Sequence, residues 1–496
     1  MPDPDQSVSA NTQLAGERAL ANTAFRGTGE IVGRLASLAL FAVVARKLGE
    51  NGLGAFVFAV AYLGFVMVAI DLGLDRYILR AIARERESAD HLFFNTIALK
   101  LALAVPLFAL SLAGLRLVGY NATAQATTLA LTLGVLSDSV ARTQAAIFSA
   151  HERGGPPSLA DALQRICSAG LGIVALQAGY GVVAVAASYS IGSFLGVLIG
   201  FGLLARTIGM PERAVDSRRW RSLATASIPF AAQDTFSILL ARMDTLILAA
   251  FATQAAVGRY GAAYRLFEST FFIAYALTGA FSAMYTNLKL EGDPSLRSVF
   301  QRSLKLALVL LMPVAVSFLV LAEPICKLIY GPDVAAAPPL RILGPGVVLM
   351  GLVTLCVSLL VSREQPRRIV PLTAAMAALN VALNLVLIPS YGDIGAAAAM
   401  LATALVYAVW VVHRAGRAVA GIGVPATLAG AVAAGLAMAV VAWPLRGSLL
   451  VALLAGGAAY AAVLILVERL ISPLDVRFAA STLRRRLPKR LAGAAR

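Results

Sequence analysis

The chain has 496 residues, of which 59% belong to the apolar set and 14% are charged, and its mean hydropathy is +0.80. A soluble protein carries roughly 25% charged residues, so this composition excludes an ordinary water-soluble domain. The formal net charge of +16 would suggest a nucleic-acid partner in a soluble chain. In a membrane protein, however, basic residues accumulate in cytoplasmic loops, and we therefore expect no nucleic-acid partner.

Apolar runs recur along the chain at intervals of roughly 30–35 residues, and a helix that crosses a bilayer needs about 20 of them. We predict an all-α polytopic membrane protein with about fourteen transmembrane helices, which we number as spans one to fourteen. Their approximate bounds are 28–48, 54–74, 92–118, 124–148, 158–178, 182–205, 222–252, 256–287, 303–329, 340–362, 369–388, 394–413, 422–443 and 448–468.

The distribution of Lys and Arg predicts the orientation of these spans. With the N-terminus inside, most basic loop residues fall on the cytoplasmic side, as the positive-inside rule requires. An even number of spans places the basic C-terminal tail, which contains Arg484, Arg485 and Arg486, on the same side. We therefore expect both termini in the cytoplasm.

An internal repeat predicts how the spans are grouped. Residues 44–62 align without gaps with residues 248–266, so that Gly54 matches Gly258. Two parallel six-helix lobes would enclose a site at their interface and would expose it by rocking, which is a transporter plan. The predicted organisation is a cytoplasmic N-terminal tail (1–25), an N-lobe of spans one to six (26–207), a C-lobe of spans seven to twelve (208–418), spans thirteen and fourteen (419–470) and a basic cytoplasmic tail (471–496).

Charged residues inside the predicted spans concentrate on spans one, four, seven and eight. Each costs at least about 2.5 kcal/mol at the centre of a membrane helix, so such residues face a bundle interior or a wet cavity. They are Glu30, Arg34, Asp138, Arg142, Asp234, Arg242, Asp244, Arg259, Arg265 and Glu268.

Two explanations compete for these charges. In the structural one, neighbours along a helix form ion pairs: Glu30 with Arg34, Asp138 with Arg142, and Arg265 with Glu268. In the functional one, arginines line a shared cavity and bind an anionic headgroup, since a guanidinium group suits phosphate oxygens: Arg34, Arg142, Arg242 and Arg265. Span seven favours the second explanation, because Arg242 and Asp244 are two residues apart and point to nearly opposite sides.

Three further features concern helix shape and packing. Pro229 would allow a bend in span seven, which would serve either a gate or the shape of the helix alone. Lys100 in span three is expected to extend its amine to the membrane surface. Gly192, Gly196 and Gly200 recur every four residues and indicate a close-packing face. The sequence contains no P-loop, zinc motif or nucleophile elbow, so we expect neither an enzyme nor a metal site nor a bound cofactor.

Short motifs occur in a fixed order in three separated regions. The first region runs from Ala45-Arg46-Lys47-Leu48-Gly49 through Gly54-Ala55-Phe56 and Asp71-Leu72-Gly73-Leu74 to Arg84. The second runs from Ile228-Pro229-Phe230 through Arg242-Met243-Asp244-Thr245 and Val257-Gly258-Arg259-Tyr260 to Ala263-Tyr264-Arg265. The third runs from Leu379-Asn380 through Leu383-Asn384 and Ile388-Pro389 to Tyr391-Gly392 and Gly395-Ala396-Ala397. The ordered set resembles the polysaccharide flippases of the multidrug/oligosaccharidyl-lipid/polysaccharide exporter superfamily.

This resemblance implies a two-lobed fold of twelve core helices plus two, in a bacterial inner membrane. It implies movement of undecaprenyl-pyrophosphate-linked oligosaccharide repeat units to the periplasmic leaflet by alternating access. Such units supply exopolysaccharide, capsule or O-antigen, so the implied partners are the lipid-linked oligosaccharide, membrane lipids, and a polymerase with its export machinery. The family's cationic cavity maps onto Arg34, Arg242 and Arg265, with Asp71 and Asp244 as the matching acidic residues.

Flipping requires either downhill flux or a coupled ion. Proton or sodium coupling would use titratable carboxylates, and Asp138, Asp234 and Asp244 are the candidates. The alternative role of the acidic residues in this region is to balance the charge of nearby arginines. These acidic residues are Glu30, Asp71, Asp138, Asp234, Asp244 and Glu268.

Two rival functions remain. A cation-coupled multidrug exporter of the same superfamily should have an acidic cavity, whereas the deep charges here favour arginine. A non-transporting membrane scaffold for a polysaccharide synthase predicts that the deep charges pair locally and enclose no cavity.

Overall fold

The computed structural model describes residues 4–212, 215–287, 294–362, 366–419 and 424–471, and the side chains of the first helix from residue 32 onward. The described residues are almost entirely α-helical and contain no strand. The helices are α1 (Pro4–Asp71), α2 (Leu74–Arg84), α3 (Ser88–Leu117), α4 (Ala122–Ala150), α5 (Gly155–Gln177), α6 (Val182–Thr207), α7 (Trp220–Phe251), α8 (Gln254–Ser269), α9 (Phe271–Asn287), α10 (Pro294–Val320), α11 (Ala322–Tyr330), α12 (Ala337–Ser362), α13 (Pro366–Ala418), α14 (Val424–Ala442) and α15 (Leu449–Ile471), with a 3-10 turn at Ser217–Arg219 before α7.

Eight helical segments in the described part of the chain are long and apolar enough to cross a membrane. They are Val32–Asp71, Ser88–Leu117, Gly155–Gln177, Val182–Thr207, Ser295–Val320, Ala337–Ser362, Ile369–Ala418 and Leu449–Val467. The helices α4 and α7 have 29 and 32 residues but are not among them, because polar and charged residues lower their hydropathy. The prediction of an all-α polytopic membrane protein is confirmed, while the number of spans and the side of each terminus stay predictions.

Two of the eight segments have 40 and 50 residues, about twice the length that one crossing requires. Each contains one glycine with a positive φ, Gly49 at 64° in α1 and Gly392 at 56° in α13, where the helix axis breaks. Arg259 of α8 joins the two breaks, since it lies 2.9 Å from Glu50 and 3.0 Å from Asp393. The predicted boundaries between spans one and two and between spans eleven and twelve therefore correspond to bends within helices.

Some predicted boundaries are wrong. Span eight (256–287) is two helices, α8 and α9, which are separated at Thr270, and span nine (303–329) is α10 and α11, separated at Leu321. The sequence reading also missed α2, an 11-residue helix that buries Leu74, Ile78 and Ile82 on one side. Its apolar stripe is too short for a span and was therefore not detected as one.

The chain divides into two compact units. One comprises Met1–Ser269, Ile329–Pro339 and Pro366–Thr403, and in it α6 packs on α4 and α5 while α1 packs on α5 and α8. The other comprises Thr270–Leu328, Leu340–Gln365 and Ala404–Arg496. In the second unit, α10 packs on α14 and α14 on α15, and Tyr460 donates a hydrogen bond to the carbonyl of Val309 at 3.0 Å.

The two segments of the sequence repeat pack against each other reciprocally. A Cβ atom on Gly54 would lie 2.0 Å from the carbonyl oxygen of Gln254, and one on Gly258 would lie 2.0 Å from that of Glu50. The repeat relates Gly54 to Gly258 and Glu50 to Gln254, since the residues of each pair are 204 positions apart. The aligned glycines therefore occupy equivalent positions in one close contact between α1 and α8.

The first four helices meet at a buried lysine. Lys100 of α3 is 0% exposed, and its Nζ lies 2.9 Å from Asp71 Oδ1 and 2.7 Å from Asp75 Oδ1. It also donates hydrogen bonds to the Ser139 carbonyl at 3.1 Å and to Thr143 Oγ1 at 2.9 Å. The prediction that this amine reaches the membrane surface is wrong, because two carboxylates offer it a charged partner inside the protein.

We expect Lys100→Met to destabilise the protein by about 3–5 kcal/mol, since it leaves two buried carboxylates short of a cation. The measurement is unfolding of the purified protein in detergent. The control is Lys327→Met, which removes an equally short 2.8 Å ion pair with Glu323 from a site where the lysine side chain is 60% exposed. That change should leave the stability close to that of the wild type, because solvent screens an exposed ion pair. Equal losses in the two variants would contradict the assignment.

We expect Gly258→Ala to destabilise the protein by about 1–3 kcal/mol, because its new methyl group would force α1 and α8 apart. The control is Gly202→Ala in α6, where an added Cβ meets nothing within 4 Å. A helical glycine with free space around it gains roughly 0.5–1 kcal/mol on replacement by alanine. The same unfolding assay should therefore give shifts of opposite sign.

Candidate anion-binding cavity

The first compact unit encloses a cavity of about 520 Å³, within the size range of small-molecule sites. Its wall is formed by α1, α4, α5, α6, α7 and α8. We call it the arginine cavity because four guanidinium groups line it, those of Arg142, Arg165, Arg242 and Arg265. Three carboxylates share the wall, those of Asp138, Asp161 and Glu268.

Glu268 holds two of these arginines. Its Oε1 accepts a hydrogen bond from Arg242 of α7 at 3.0 Å, and its Oε2 accepts one from Arg265 of α8 at 3.1 Å. Arg265 also donates to Ser37 of α1. One carboxylate thus balances two cations, and the local excess is positive.

Aromatic rings set the orientation of the same two guanidinium groups. The Arg242 group lies 5.6 Å from the ring centroid of Tyr264, and the Arg265 group lies 4.8 Å from that of Phe41. At these distances a guanidinium group is attracted to the ring face. The N–H groups at its edge remain directed toward hydrogen-bond acceptors, which is the geometry that suits a phosphate.

Arg142 connects the cavity to the buried lysine cluster. It donates to Asp71, and its Nε lies 3.8 Å from Asp75 Oδ2, while 41% of its side chain is exposed. Asp138, one helical turn before it, is held elsewhere: it accepts hydrogen bonds from Gln164 Nε2 at 2.8 Å and from the Tyr189 hydroxyl at 2.6 Å. The local pair that the sequence suggested between Asp138 and Arg142 is therefore replaced by contacts to other helices.

Arg34 lies beside the cavity rather than in its described wall. Its side chain is half-buried, and its charge acts on Glu268. The side chain of Glu30 lies outside the described residues, and so does the predicted ion pair between Glu30 and Arg34.

Two other candidate acids have separate environments outside the cavity wall. Asp234 of α7 forms a 2.7 Å ion pair with Arg76 of α2. Asp244 is buried and accepts hydrogen bonds from the Tyr260 hydroxyl and from the Thr245 backbone N–H, the latter at 2.6 Å. Asp244 and the cavity residue Arg242 thus have different surroundings, in agreement with their two-residue spacing.

Pro229 lies within α7, which continues through it from Trp220 to Phe251. The turn between α1 and α2 packs next to it, since a Cβ on Gly73 would lie 2.4 Å from the backbone nitrogen of Ala231. A gating role for Pro229 stays a prediction.

The sequence reading missed several residues of the cavity wall. Arg165 and Asp161 are one turn apart in α5 and form an ion pair. Arg165 Nε lies 3.2 Å from Asp161 Oδ1, and Arg165 Nη2 lies 3.0 Å from Asp161 Oδ2. Their spacing within span five was the available signal. Gln164 and Tyr189 are uncharged, so no charge criterion could have found them. Among the described residues, no group of three or more His, Cys, Asp or Glu side chains could hold a metal ion.

Comparisons with known proteins place the chain in a family. The family model described as "Polysaccharide biosynthesis protein" matches residues 19–281. A relative from Haloferax volcanii, the probable low-salt glycan biosynthesis flippase Agl15, is 23% identical over 367 residues, which cover 74% of this chain and 76% of the relative.

Two solved transporters share the fold. The lipid II flippase MurJ in an inward closed conformation aligns with a TM-score of 0.78 at 15% identity, covering 90% of this chain and 98% of MurJ. An inward-facing multidrug resistance MATE transporter of the MOP superfamily aligns with a TM-score of 0.63 at 18% identity, covering 77% of this chain and 94% of its own. The resemblance indicated by the motifs is confirmed, and the chain belongs to the polysaccharide biosynthesis protein family of multi-pass membrane proteins.

Proposed function

We propose that this protein is a flippase that moves undecaprenyl-pyrophosphate-linked oligosaccharide repeat units from the cytoplasmic to the periplasmic leaflet of a bacterial inner membrane. The observation that carries the proposal is the set of four arginines on the wall of one cavity within a membrane protein. Half-buried cations in such a setting require anionic partners, and Arg242 and Arg265 share the single carboxylate of Glu268.

The pyrophosphate would bind at Arg242 and Arg265. The pyrophosphate oxygens only accept hydrogen bonds, and a guanidinium group only donates them, so the two groups are complementary. Glu268 already accepts one hydrogen bond from the Arg242 guanidinium group and one from that of Arg265. A pyrophosphate carries more negative charge and more acceptor atoms than one carboxylate and would compete with Glu268 for both arginines. Arg142, with its exposed side chain, and the neighbouring Arg34 would add to the attraction.

The rest of the substrate would be divided between the cavity and the lipid. The sugars would occupy the cavity, and the prenyl tail would stay in the bilayer beside the last two predicted spans. Alternating access would then expose the headgroup to either side. The product would supply a surface polysaccharide such as exopolysaccharide, capsule or O-antigen, made by a polymerase and its export machinery.

We also propose that a proton or sodium gradient drives the flipping and that a deep carboxylate couples to it. Among the three candidates, Asp234 pairs with a cation, Arg76. The hydrogen bonds described for Asp138 and Asp244 come instead from neutral groups. A carboxylate held by neutral donors can take up a proton or a cation without first releasing an arginine, which favours these two.

We expect Arg242→Gln to weaken binding of a prenyl pyrophosphate by roughly 10- to 150-fold, the value of one charge-assisted hydrogen bond. Flipping of a prenyl-pyrophosphate-linked oligosaccharide in proteoliposomes should fall in parallel. The control is Arg446→Gln, because Arg446 also stacks on an aromatic ring, 4.7 Å from that of Trp443, but is exposed and outside the cavity. Wild-type flipping by a folded Arg242→Gln variant would refute the proposed headgroup site.

Glu268→Gln gives a prediction of opposite sign. Removing the competing carboxylate should strengthen prenyl-pyrophosphate binding by about tenfold or more, because both arginines lose an anionic partner. The exposed Glu323→Gln, which breaks the ion pair with Lys327, should leave binding unchanged. A multidrug exporter would behave differently, since loss of this carboxylate should weaken binding of a lipophilic cation. Titration of both ligands in nanodiscs separates the two functions.

A further inference from the structure

Three polar residues of the cavity wall differ in chemistry from the arginines that line it: Asp138 of α4, Gln164 of α5 and Tyr189 of α6. The helices α4 and α5 also carry Arg142 and Arg165, so hydrogen-bond donors line the same region of the wall. We call the three residues the acceptor wall, because the side-chain oxygens of Gln164 and Tyr189 are left to accept hydrogen bonds from a ligand.

The orientation of the Gln164 amide is fixed by its neighbours. A carboxylate accepts hydrogen bonds, so the atom facing Asp138 must be the nitrogen, and Nε2 lies 2.8 Å from Asp138 Oδ1. The same Nε2 lies 2.8 Å from Ser193 Oγ, which uses its second N–H. Both donors are therefore engaged, and within the described part of the chain the carbonyl oxygen Oε1 receives no hydrogen bond. This acceptor belongs to a side chain that is only 8% exposed and that lines the cavity.

Tyr189 presents a second acceptor. Its hydroxyl hydrogen is directed to Asp138 Oδ2 at 2.6 Å, so the lone pairs of its oxygen remain available. Asp138 thereby holds Gln164 and Tyr189 in place with one oxygen each. A ligand hydroxyl that donates to either oxygen would therefore form a hydrogen bond without displacing one that already exists.

A glycine on α6 keeps this acceptor accessible. A Cβ on Gly196 would lie 2.9 Å from Gln164 Cβ and 3.3 Å from its Oε1, and Gly196 itself lines the cavity. The glycine stripe that the sequence indicated as a packing face therefore also determines how much room the Gln164 amide has.

We propose that the acceptor wall is a sugar subsite, which recognises hydroxyl groups of a hexose attached to the pyrophosphate. Phosphate oxygens have no hydrogen to donate, whereas sugar hydroxyls do, and only the latter match Gln164 Oε1 and the Tyr189 oxygen. This inference rests on the proposed function and specifies which part of the substrate each side of the cavity binds.

The test compares two ligands on the full-length protein in nanodiscs. One is a short-chain prenyl pyrophosphate, and the other is the same molecule with a single glucose, galactose or N-acetylglucosamine on the pyrophosphate, whichever binds most tightly. Tyr189→Phe removes one acceptor and should weaken binding of the glycosylated probe by roughly three- to tenfold. Binding of the bare prenyl pyrophosphate should not change, which also shows that the variant is folded. The control is Tyr62→Phe, which removes a 2.9 Å hydrogen bond to the Ser111 carbonyl away from the cavity wall and should affect neither probe.

The possible outcomes separate the two proposals. Equal loss for both probes in Tyr189→Phe, or no loss for either, would overturn the sugar subsite and leave the headgroup site intact. Failure of the wild-type protein to bind the bare prenyl pyrophosphate, or binding that Arg242→Gln does not weaken, would overturn the proposed function and the subsite with it.

Discussion

A charge inside a membrane helix is tolerated only where its surroundings neutralise it, and Lys100 satisfies this constraint for the first four helices. Its fully buried ammonium contacts Asp71 at the end of α1, Asp75 in α2 and Thr143 in α4. Burial removes the competing water and makes every unpaired member of the cluster costly. The positions of these helices are therefore coupled. Arg142, which shares both aspartates, is held at the boundary between this cluster and the arginine cavity.

Glu268 performs a similar balancing role under different conditions. It pairs with Arg242 at 3.0 Å, and both side chains are 26% exposed, whereas the Lys100 side chain is 0% exposed and that of Asp71 is 11% exposed. An ion pair next to a cavity can exchange one partner for another anion without leaving a buried charge unpaired. The two clusters thus differ in burial more than in chemistry: the Lys100 cluster suits a permanent contact, and the Glu268 cluster suits a site whose partner changes.

Local patterns in the sequence determine some of these features and not others. Hydropathy located most helices, and the two-residue spacing of Arg242 and Asp244 indicated opposite surroundings. The breaks at Thr270 and Leu321 were missed, although Glu268-Ser269-Thr270 and Glu323-Pro324 interrupt the apolar runs next to them. The partners of Lys100 and Asp138 could not be predicted, since they lie on other helices and pairing depends on packing. The pattern of deep charges indicated Arg142, Arg242 and Arg265, and resemblance to a family mapped the last two as well, whereas Arg165 and the neutral residues beside it were missed.

The chemistry of the cavity wall explains how one cavity could select a glycosylated lipid carrier. The arginine side offers donors fixed by Tyr264 and Phe41, and the acceptor wall offers acceptors fixed by Asp138. An organic cation would satisfy the second and be repelled by the first, and a bare prenyl pyrophosphate would satisfy only the first. A molecule that carries acceptors at one end and hydroxyl donors next to them meets both. Selectivity then follows from the combination of donors and acceptors in one cavity wall, and it requires no single residue with a unique affinity for the substrate.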